Sequence, residues 1–232
     1  MKKINDPAAI ARYVNEHRLS GIFDEQTIAA MELFAYDKGE PICSAGDSLS
    51  QLYLLVSGKM KIYTVLPNGK SVLLRFNNPL AVVGDIEFLT EYPVRSNVES
   101  VLESFVLTLK YETLRESAYD DPVFLRFMMK HLSHKLYTVS NASSLNLLYP
   151  VETRFASYLL SVTADAGNKS ATEELKTAKL TEVAELLGTS YRHLNRVVTG
   201  LASAGILERQ RGRIVIKERD RLEQLASGNL YS

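Results

Sequence analysis

Apolar residues between about position 36 and position 110 occur in short runs separated by turn-forming Gly, Pro, Asn and Asp. The run 52–56 is continuously apolar and predicts a buried strand, whereas 59–63 alternates polar with apolar residues as a half-exposed strand does. Further strands are predicted at 71–76, 98–101 and 105–109. At least six short strands over about seventy residues, with glycine turns between them, predict an antiparallel roll or barrel.

One connection in this region carries a specific turn signal. Residues 67–70 read Pro-Asn-Gly-Lys, and Asn-Gly accepts positive φ at both central positions of a type I′ turn. We therefore predict a hairpin that reverses at Asn68 and Gly69. Before the strands, residues 1–35 are predicted to be helical, with Asp6 and Asp24 as N-caps.

The periodicity changes to that of a long helix after residue 119. Asp121-Pro122 is a suitable start, because proline is favoured at the first helical position, and Pro150 marks the end. Along 121–149 one set of apolar residues recurs at alternating steps of four and three, which is a heptad seam. We predict that the seam pairs with its twin in a homodimer; the alternative is an intrachain core helix. The predicted dimer-interface residues are Leu125, Met129, Leu132, Leu136 and Val139.

Residues 181–213 combine two short amphipathic helices with a tight turn. Apolar residues fall at helical spacing on both sides of Gly188. Gly188 tolerates positive φ, and the hydroxyl of Ser190 can cap the second helix. Such a helix-turn-helix can place its second helix in the major groove of DNA. An ordinary helical hairpin with a solvated charged face is the alternative.

A two-stranded wing is predicted next, with 206–210 and 213–217 flanking Arg211-Gly212. Within 189–217, six basic residues accompany a single acidic residue, which is the local positive charge expected where a phosphate backbone docks. A regulatory module whose winged helix contacts protein is the competing function. The side chains expected to bind DNA, by donating to base edges or phosphates, are Ser190, Tyr191, Arg192, Asn195, Arg196, Thr199, Arg211 and Arg213.

The composition of the chain excludes several classes of protein. The chain has 232 residues, 46% of them hydrophobic, and its formal net charge is zero. Residues 1–30 lack a signal-peptide core and no apolar run could span a bilayer, so a cytoplasmic protein without membrane contact is expected. The single cysteine, Cys43, excludes an intrachain disulfide and a four-cysteine zinc site. The stretch 36–118 has no histidine, and no Ser/His/Asp, Walker or paired-carboxylate constellation occurs, so we predict no enzyme.

Several stretches occur in an order that resembles the cyclic-AMP receptor protein/FNR (Crp/Fnr) family of transcription regulators. They are Lys38-Gly39-Glu40 with Gly46-Asp47, the motif 53–58, Gly84-Asp85-Ile86-Glu87-Phe88 before Arg95-Ser96, and the long helix followed by the winged helix. The resemblance covers nearly the whole chain from residue 20. It implies an α+β fold with an effector-sensing, cyclic-nucleotide-binding-like antiparallel β-roll of jelly-roll type over 1–120, a dimerisation helix over 121–149 and a winged-helix DNA-binding domain over 150–232.

The family's ligand site maps onto this chain with substitutions. The resemblance implies a short helix whose amides hold a cyclic phosphate, an Arg-Ser pair that meets this phosphate, and a polar pair on the long helix that meets the purine. Asp85 replaces the Glu that binds the ribose, and Glu87 adds a carboxylate that repels an anion. A cyclic nucleotide is therefore disfavoured against another effector, or against an empty roll closed by an ion pair of Arg95 with Asp85 or Glu87. The candidate effector-binding residues are Gly84, Asp85, Glu87, Arg95, Ser96, Val139 and Ser140.

The same resemblance places Tyr191, Arg192 and Arg196 at the base-reading positions. Tyr191-Arg192 departs from the Arg-Glu of the receptor protein, so the operator need not be the family's usual half-site. Arg196 is the residue expected to contact guanine through two hydrogen bonds. The implied partners are a double-stranded DNA operator, a second copy of the chain, a small-molecule effector of unknown identity and, for an activator, RNA polymerase.

Other kinds of sensing in the family require particular cysteine or histidine residues. FNR-type oxygen sensing uses four cysteines, and this chain has one. His131 and His134 lie three apart on the long helix, but packed or solvated roles are expected rather than metal or haem ligation. Cys43 is expected to be a buried structural thiol rather than a redox sensor.

Overall fold

A computed structural model describes residues 1–163, 174–176, 180–228 and 230–231. The chain forms two compact units. One combines Met1–Ile62 with Asn77–Tyr137, and the other combines Tyr63–Phe76 with Thr138–Ser232. Helices and antiparallel sheets occur together, so the predicted α+β class is confirmed. Within the described ranges, none of the helices has the length and hydropathy required to cross a bilayer.

Two sheets form the roll. Their strands are β1 (Lys2–Ile4), β2 (Glu32–Tyr36), β3 (Pro41–Cys43), β4 (Gln51–Ser57), β5 (Met60–Val65), β6 (Ser71–Asn77), β7 (Ala81–Val83), β8 (Asn97–Ser100) and β9 (Ser104–Lys110). One sheet has the order β1-β2-β9-β4-β7 and is antiparallel throughout, and the other has the order β3-β8-β5-β6. The predicted apolar run 52–56 is buried along its whole length within β4. It therefore contributes to the core from both faces of its sheet.

Helices lie between and after these strands along the chain. They are α1 (Pro7–Glu16), α2 (Glu25–Ala29), α3 (Asp85–Thr90), α4 (Tyr111–Ser117) and α5 (Pro122–Leu148), with a 3₁₀ turn at Leu19–Gly21. Both predicted caps are confirmed: Asp6 accepts from the amides of Ala8 and Ala9, and Asp24 accepts from the amide of Thr27. The prediction of a helical segment over all of 1–35 is wrong at its two ends. There β1 and the start of β2 pair with each other, because strand pairing outweighs local propensity.

The long helix α5 has two apolar faces. Phe124 and Met128 are buried in the core, where Phe124 lies 5.8 Å from the ring of Phe23. On the predicted seam, Met129 is 57% exposed and Leu136 is 74% exposed. The described chain therefore leaves the seam partly open, which counts against an intrachain core helix; pairing with a second copy stays a prediction.

The hairpin between β5 and β6 exists, but its turn differs from the predicted type I′. The amide of Gly69 donates to the carbonyl of Leu66 at 2.8 Å, which makes Pro67 and Asn68 the central residues. Gly69 has φ +78°, whereas Asn68 is not among the residues with positive φ. Proline cannot adopt positive φ, so a turn centred on Pro67 excludes type I′ and leaves positive φ to the glycine that follows.

The second unit contains the C-terminal elements. They are α6 (Val151–Thr163), β10 (Glu174–Lys176), α7 (Leu180–Leu186), α8 (Tyr191–Ser203), β11 (Leu207–Gln210), β12 (Arg213–Ile216) and α9 (Arg219–Ala226). The two predicted wing strands pair as β11 and β12. A third strand, β10, pairs with β12 and was not predicted, because the sequence around it is polar and lacks alternation. Residues 164–173 lie outside the described residues.

Candidate DNA interface and effector site

The turn between α7 and α8 has the predicted geometry. Gly188 adopts φ +61°, a conformation that glycine reaches without strain. Ser190 is extended and its Oγ accepts a hydrogen bond from the amide of His193 at 3.2 Å. The guanidinium of Arg154 on α6 donates to the carbonyl of Leu187 and so ties the turn to the unit's core. These contacts fix where α8 begins.

Helix α8 separates a buried face from an exposed face. Leu194, Val198 and Leu201 are buried at the spacing expected of one helical stripe. Asn195 is half-buried between the two faces. The predicted base-reading residues lie on the open side of the helix, where Tyr191 (47% exposed), Arg192, Arg196 and Thr199 are exposed.

Two hydroxyls among the predicted DNA-binding residues already have partners. Besides the cap at Ser190, Oγ1 of Thr199 donates to the carbonyl of Asn195 at 2.9 Å. Thr199 would have to break that bond to donate to a phosphate, whereas Ser190 accepts in its cap and keeps its proton for another partner.

The wing carries a chain of side-chain hydrogen bonds. Arg213 Nε donates to Gln210 at 2.6 Å, and Gln210 donates to Glu208 at 3.1 Å. Lys217 forms an ion pair with Glu208 at 2.5 Å, and these bonds to Lys217 and Gln210 lower the pKa of Glu208. Arg211 is exposed at the tip of the wing. The two wing arginines among the predicted DNA-binding residues therefore differ, since Arg213 is held along the wing and Arg211 is exposed at its tip.

Arg209 joins the wing to α8. Its Nη1 lies 3.0 Å from Oδ1 of Asn195. Arg209 follows Glu208 on β11, so its side chain leaves the strand on the opposite face. This contact was missed from the sequence, because fourteen residues and a turn separate the two positions.

Gly84 precedes α3 and adopts φ +92°, and its role toward an effector stays a prediction. Its carbonyl accepts a hydrogen bond from the hydroxyl of Tyr111 at 2.6 Å. A Cβ added at Gly84 would lie 2.7 Å from that hydroxyl and 3.0 Å from the carbonyl oxygen of Gln51. Only glycine fits here, and Tyr111 is a positioning residue that the sequence did not reveal.

Asp85 is 1% exposed and forms an ion pair with Lys135 of α5. The Lys135 side chain is 13% exposed, so both charges are largely removed from water. Oδ1 of Asp85 accepts from Lys135, while Oδ2 has no hydrogen-bond partner among the described residues. Lys135 was not among the predicted site residues; it lies fifty positions away and next to the seam, where a solvated lysine is the ordinary expectation.

Arg95 does not close the roll as the alternative hypothesis required. Its side chain is exposed, with no hydrogen-bond or ion-pair partner in the part of the chain that the structure describes. Lys135 takes the place that the hypothesis gave to Arg95 at Asp85, so that alternative is wrong for Asp85. Ser96 is half-buried beside Arg95. Val139 (half-buried) and Ser140 (exposed) belong to the second compact unit, and their role toward an effector stays a prediction.

A cleft of about 460 Å³ opens beside α3 and α4. Glu87, Glu91 and Glu112 contribute carboxylates to its wall, against Lys110 and Arg115. Arg115 is paired with Glu91 at 2.9 Å. Burial raises the pKa of Glu87, and the nearby carboxylate of Asp85 raises it further. A wall with this charge does not favour an anionic ligand.

Of the remaining sensor candidates, Cys43 and His131 are packed side chains. Burial raises the pKa of the Cys43 thiol to about 12, so the reactive thiolate is suppressed and the structural role is supported. The His131 ring lies 4.5 Å from that of Phe127, and burial lowers its pKa to about 4. His134 is exposed. Among the described residues, no group of three or more His, Cys, Asp or Glu side chains could hold a metal ion.

Known proteins share both halves of this architecture. The family model "Cyclic nucleotide-binding domain" matches residues 33–118, and the "Crp-like helix-turn-helix domain" matches residues 153–225. The regulatory protein YeiL of Escherichia coli O157:H7 is 29% identical over 213 residues, which cover 92% of this chain and 94% of that protein. The CRP-like cAMP-activated global transcriptional regulator of Mycobacterium tuberculosis (strain H37Rv) is 24% identical over 193 residues, or 82% of this chain and 86% of that protein.

A solved structure shows the same fold. A CRP-family transcriptional regulator of Thermus thermophilus superposes with a TM-score of 0.69 at 21% identity, covering 86% of this chain and 98% of its own. These similarities favour the DNA-binding interpretation over a winged helix that contacts protein. With a cyclic nucleotide-binding domain followed by a Crp-like helix-turn-helix, the chain belongs to the Crp/Fnr family of transcription regulators.

Proposed function

We propose that the chain acts as a homodimer that binds a double-stranded DNA operator through α8 and the wing. The observation that carries this proposal is the open face of α8, where Tyr191, Arg192 and Arg196 are exposed beside a basic wing. Arginine matches guanine because its two parallel N–H donors meet N7 and O6 in the major groove. We assign that contact to Arg196 first and to Arg192 second. Ser190, Arg211 and Arg213 are assigned to phosphates.

The dimer is proposed from the exposed seam of α5. Leu125, Met129 and Leu136 are exposed large hydrophobic side chains at heptad spacing, and a twin helix would cover them. A two-fold dimer would present two α8 helices to two half-sites of an operator. The protein would then act in the cytoplasm, and activation of transcription would require a further contact with RNA polymerase.

The effector of the β-roll is proposed not to be a cyclic nucleotide. Asp85 stands where the resemblance assigns a ribose contact, and that carboxylate is bound by Lys135. The exposed position of Arg95 and the carboxylates near α3 add to this argument, because a cyclic phosphate needs cationic or N–H donors around it. DNA affinity would be set by a ligand of another class.

Binding of the full-length protein to genomic fragments, followed by mobility shift, tests the proposal. Wild type is expected to select a short sequence, and Arg196→Ala is expected to weaken binding to it by roughly 5-fold to 150-fold per half-site, with relaxed preference at one base. Arg219→Ala is the matched control, because this arginine lies on α9 and pairs with Glu223 of its own helix. Equal, salt-insensitive binding by wild type and Arg196→Ala would contradict the proposal.

A further inference from the structure

A side-chain hydrogen bond links the wing to the groove-facing side of α8, and its chemistry orients the amide of Asn195. A guanidinium has donors only, so the amide atom 3.0 Å from Nη1 of Arg209 has to be the carbonyl oxygen. Which end of an asparagine amide is oxygen and which is nitrogen is inferred from the hydrogen-bond partners around it. Here the donor-only partner makes the assignment unambiguous.

The surroundings of Arg209 leave it available for this contact. Glu208 is the neighbouring carboxylate in sequence, but Lys217 and Gln210 bind its two oxygens. Alternation along β11 also places Glu208 and Gln210 on one face and Arg209 on the other. No competing carboxylate of the wing therefore draws Arg209 away from α8.

The opposite end of the amide is the end available to a ligand. With Oδ1 bound by Arg209, the two N–H groups of Nδ2 are the polar groups of this amide that remain for a ligand. Nδ2 has no hydrogen-bond partner within the described part of the chain. Asn195 lies next to Arg196 and one turn after Tyr191 and Arg192, so its free N–H groups accompany the side chains assigned to bases.

We propose that Arg209 is a positioning residue that makes Asn195 a reader of guanine; this rests on the proposed binding of DNA. An asparagine that reads adenine needs both amide atoms, the oxygen for the N6 amino group and the nitrogen for N7. When Arg209 holds the oxygen, only the N–H donors of Nδ2 remain for a base, and guanine presents two acceptors, N7 and O6, at its major-groove edge. Adenine would set its N6 amino group against another donor.

Docking on DNA strengthens the contact. In the free protein, Arg209 is exposed and water competes for its hydrogen bonds. A bound duplex excludes water from the space between the wing and α8, and a charge-assisted hydrogen bond is stronger at low dielectric. The amide orientation is therefore most firmly held in the complex, where it decides the base.

Selection from random duplexes by the full-length protein tests the assignment. Base frequencies are compared for wild type, Asn195→Ala, Arg209→Met, Arg209→Lys and the double variant Arg209→Met/Asn195→Ala. Arg211→Met is the matched control, because it removes an exposed wing arginine at the tip. The salt dependence of binding is measured for each variant on the wild-type site.

One position of each half-site is expected to prefer guanine in wild type and to lose its preference in Asn195→Ala. Arg209→Met is expected to change the guanine-to-adenine ratio there by at least roughly fivefold toward adenine. Arg209→Lys keeps a donor-only cation and is expected to keep guanine. The double variant should show the same base frequencies as Asn195→Ala. Arg211→Met should leave the preference for guanine at this position unchanged.

Other outcomes overturn the proposal. A uniform loss of affinity in Arg209→Met, with a salt slope smaller by about 0.9, would mean that Arg209 binds a phosphate instead. A selected sequence with no position sensitive to Asn195 would equally reject it. A wild-type protein that selects no sequence would contradict the proposed function itself, which separates the two failures.

Discussion

Asp85 is a buried carboxylate whose two oxygens have different surroundings. Oδ1 accepts from Lys135, whereas Oδ2 has no partner among the described residues. Because both side chains are largely withdrawn from water, each charge depends on the other for its stability. Removal of one partner leaves an uncompensated buried charge, which is far less favourable than removal of both.

Lys135→Met is expected to lower the free energy of unfolding by about 3–5 kcal/mol, because it leaves the buried carboxylate of Asp85 without its cation. The double variant Asp85→Asn/Lys135→Met should recover most of this loss because no net charge remains buried. Urea denaturation at neutral pH measures both. Lys130→Met, an exposed lysine of the same helix, is the control and should change the free energy by less than about 0.5 kcal/mol. A Lys135→Met protein as stable as this control would refute the burial argument.

At the residue scale, the sequence identified important single residues better than it identified the side chains that contact them. Gly84, Asp85 and Ser190 were singled out, and the structure shows a positive φ, a buried charge and a helix cap at these positions. Lys135 and Arg209 were missed as partners. Each meets its partner only after distant elements pack together, and no local pattern encodes such a contact.

Helix α5 shows how a single element can serve two surfaces. Its Phe124 and Met128 face is buried, while Leu136 is 74% exposed. A heptad seam on an exposed face is favourable only when a second helix covers it. The proposed homodimer therefore depends on a stripe of side chains that the rest of the chain leaves open.

Leu136→Glu is expected to weaken the proposed dimer by roughly a hundredfold or more in its dissociation constant. A glutamate on each helix would place two like charges in an apolar seam, at an expected loss of about 3 kcal/mol. Sedimentation equilibrium over a range of protein concentrations measures the change. His134→Glu, exposed and off the seam, should leave the dissociation constant unchanged. An equally tight dimer in both variants would place the interface elsewhere.

Among the elements, long periodic segments were the most predictable. The long helix and the strand at 52–56 were recovered, since periodicity over many residues has few alternatives. The turn after β5 was assigned to the wrong turn type. The same residues can form a tight turn with its two central positions shifted by one residue. Strand β10 was missed because β12, with which it pairs, lies almost forty residues away.

At the scale of the whole chain, residues close to the C-terminus help to assemble the second unit. Tyr231 is 0% exposed, and its hydroxyl donates to Asn146 of α5 at 2.8 Å. Its amide donates to Ser161 of α6 at 2.9 Å, and its carbonyl accepts from the amide of Phe76 on β6. One residue thus connects three segments that are far apart in sequence.

Tyr231→Ala is expected to destabilise the second unit by about 3–5 kcal/mol, as for other buried aromatic side chains. Amide hydrogen exchange should accelerate at Phe76, whose N–H donates to Tyr231, and at neighbouring amides of β6. Tyr149→Ala removes an exposed tyrosine at the end of α5 and serves as the control. Unchanged exchange at Phe76 in Tyr231→Ala would show that the C-terminal contact adds nothing to the unit.

The hairpin at 63–76 limits how freely this protein can be recombined with its relatives. Val72 bridges to Leu187 beside the helix-turn-helix turn, and Phe76 packs 5.7 Å from the ring of Tyr158. Leu73 and Phe76 are buried in the same unit as 138–232. In a chimera that takes residues after Pro150 from a relative, these side chains would pack against the relative's residues instead of their own partners. Exchange of operator specificity would therefore succeed by transfer of the hairpin together with the winged helix, or by a graft confined to α8.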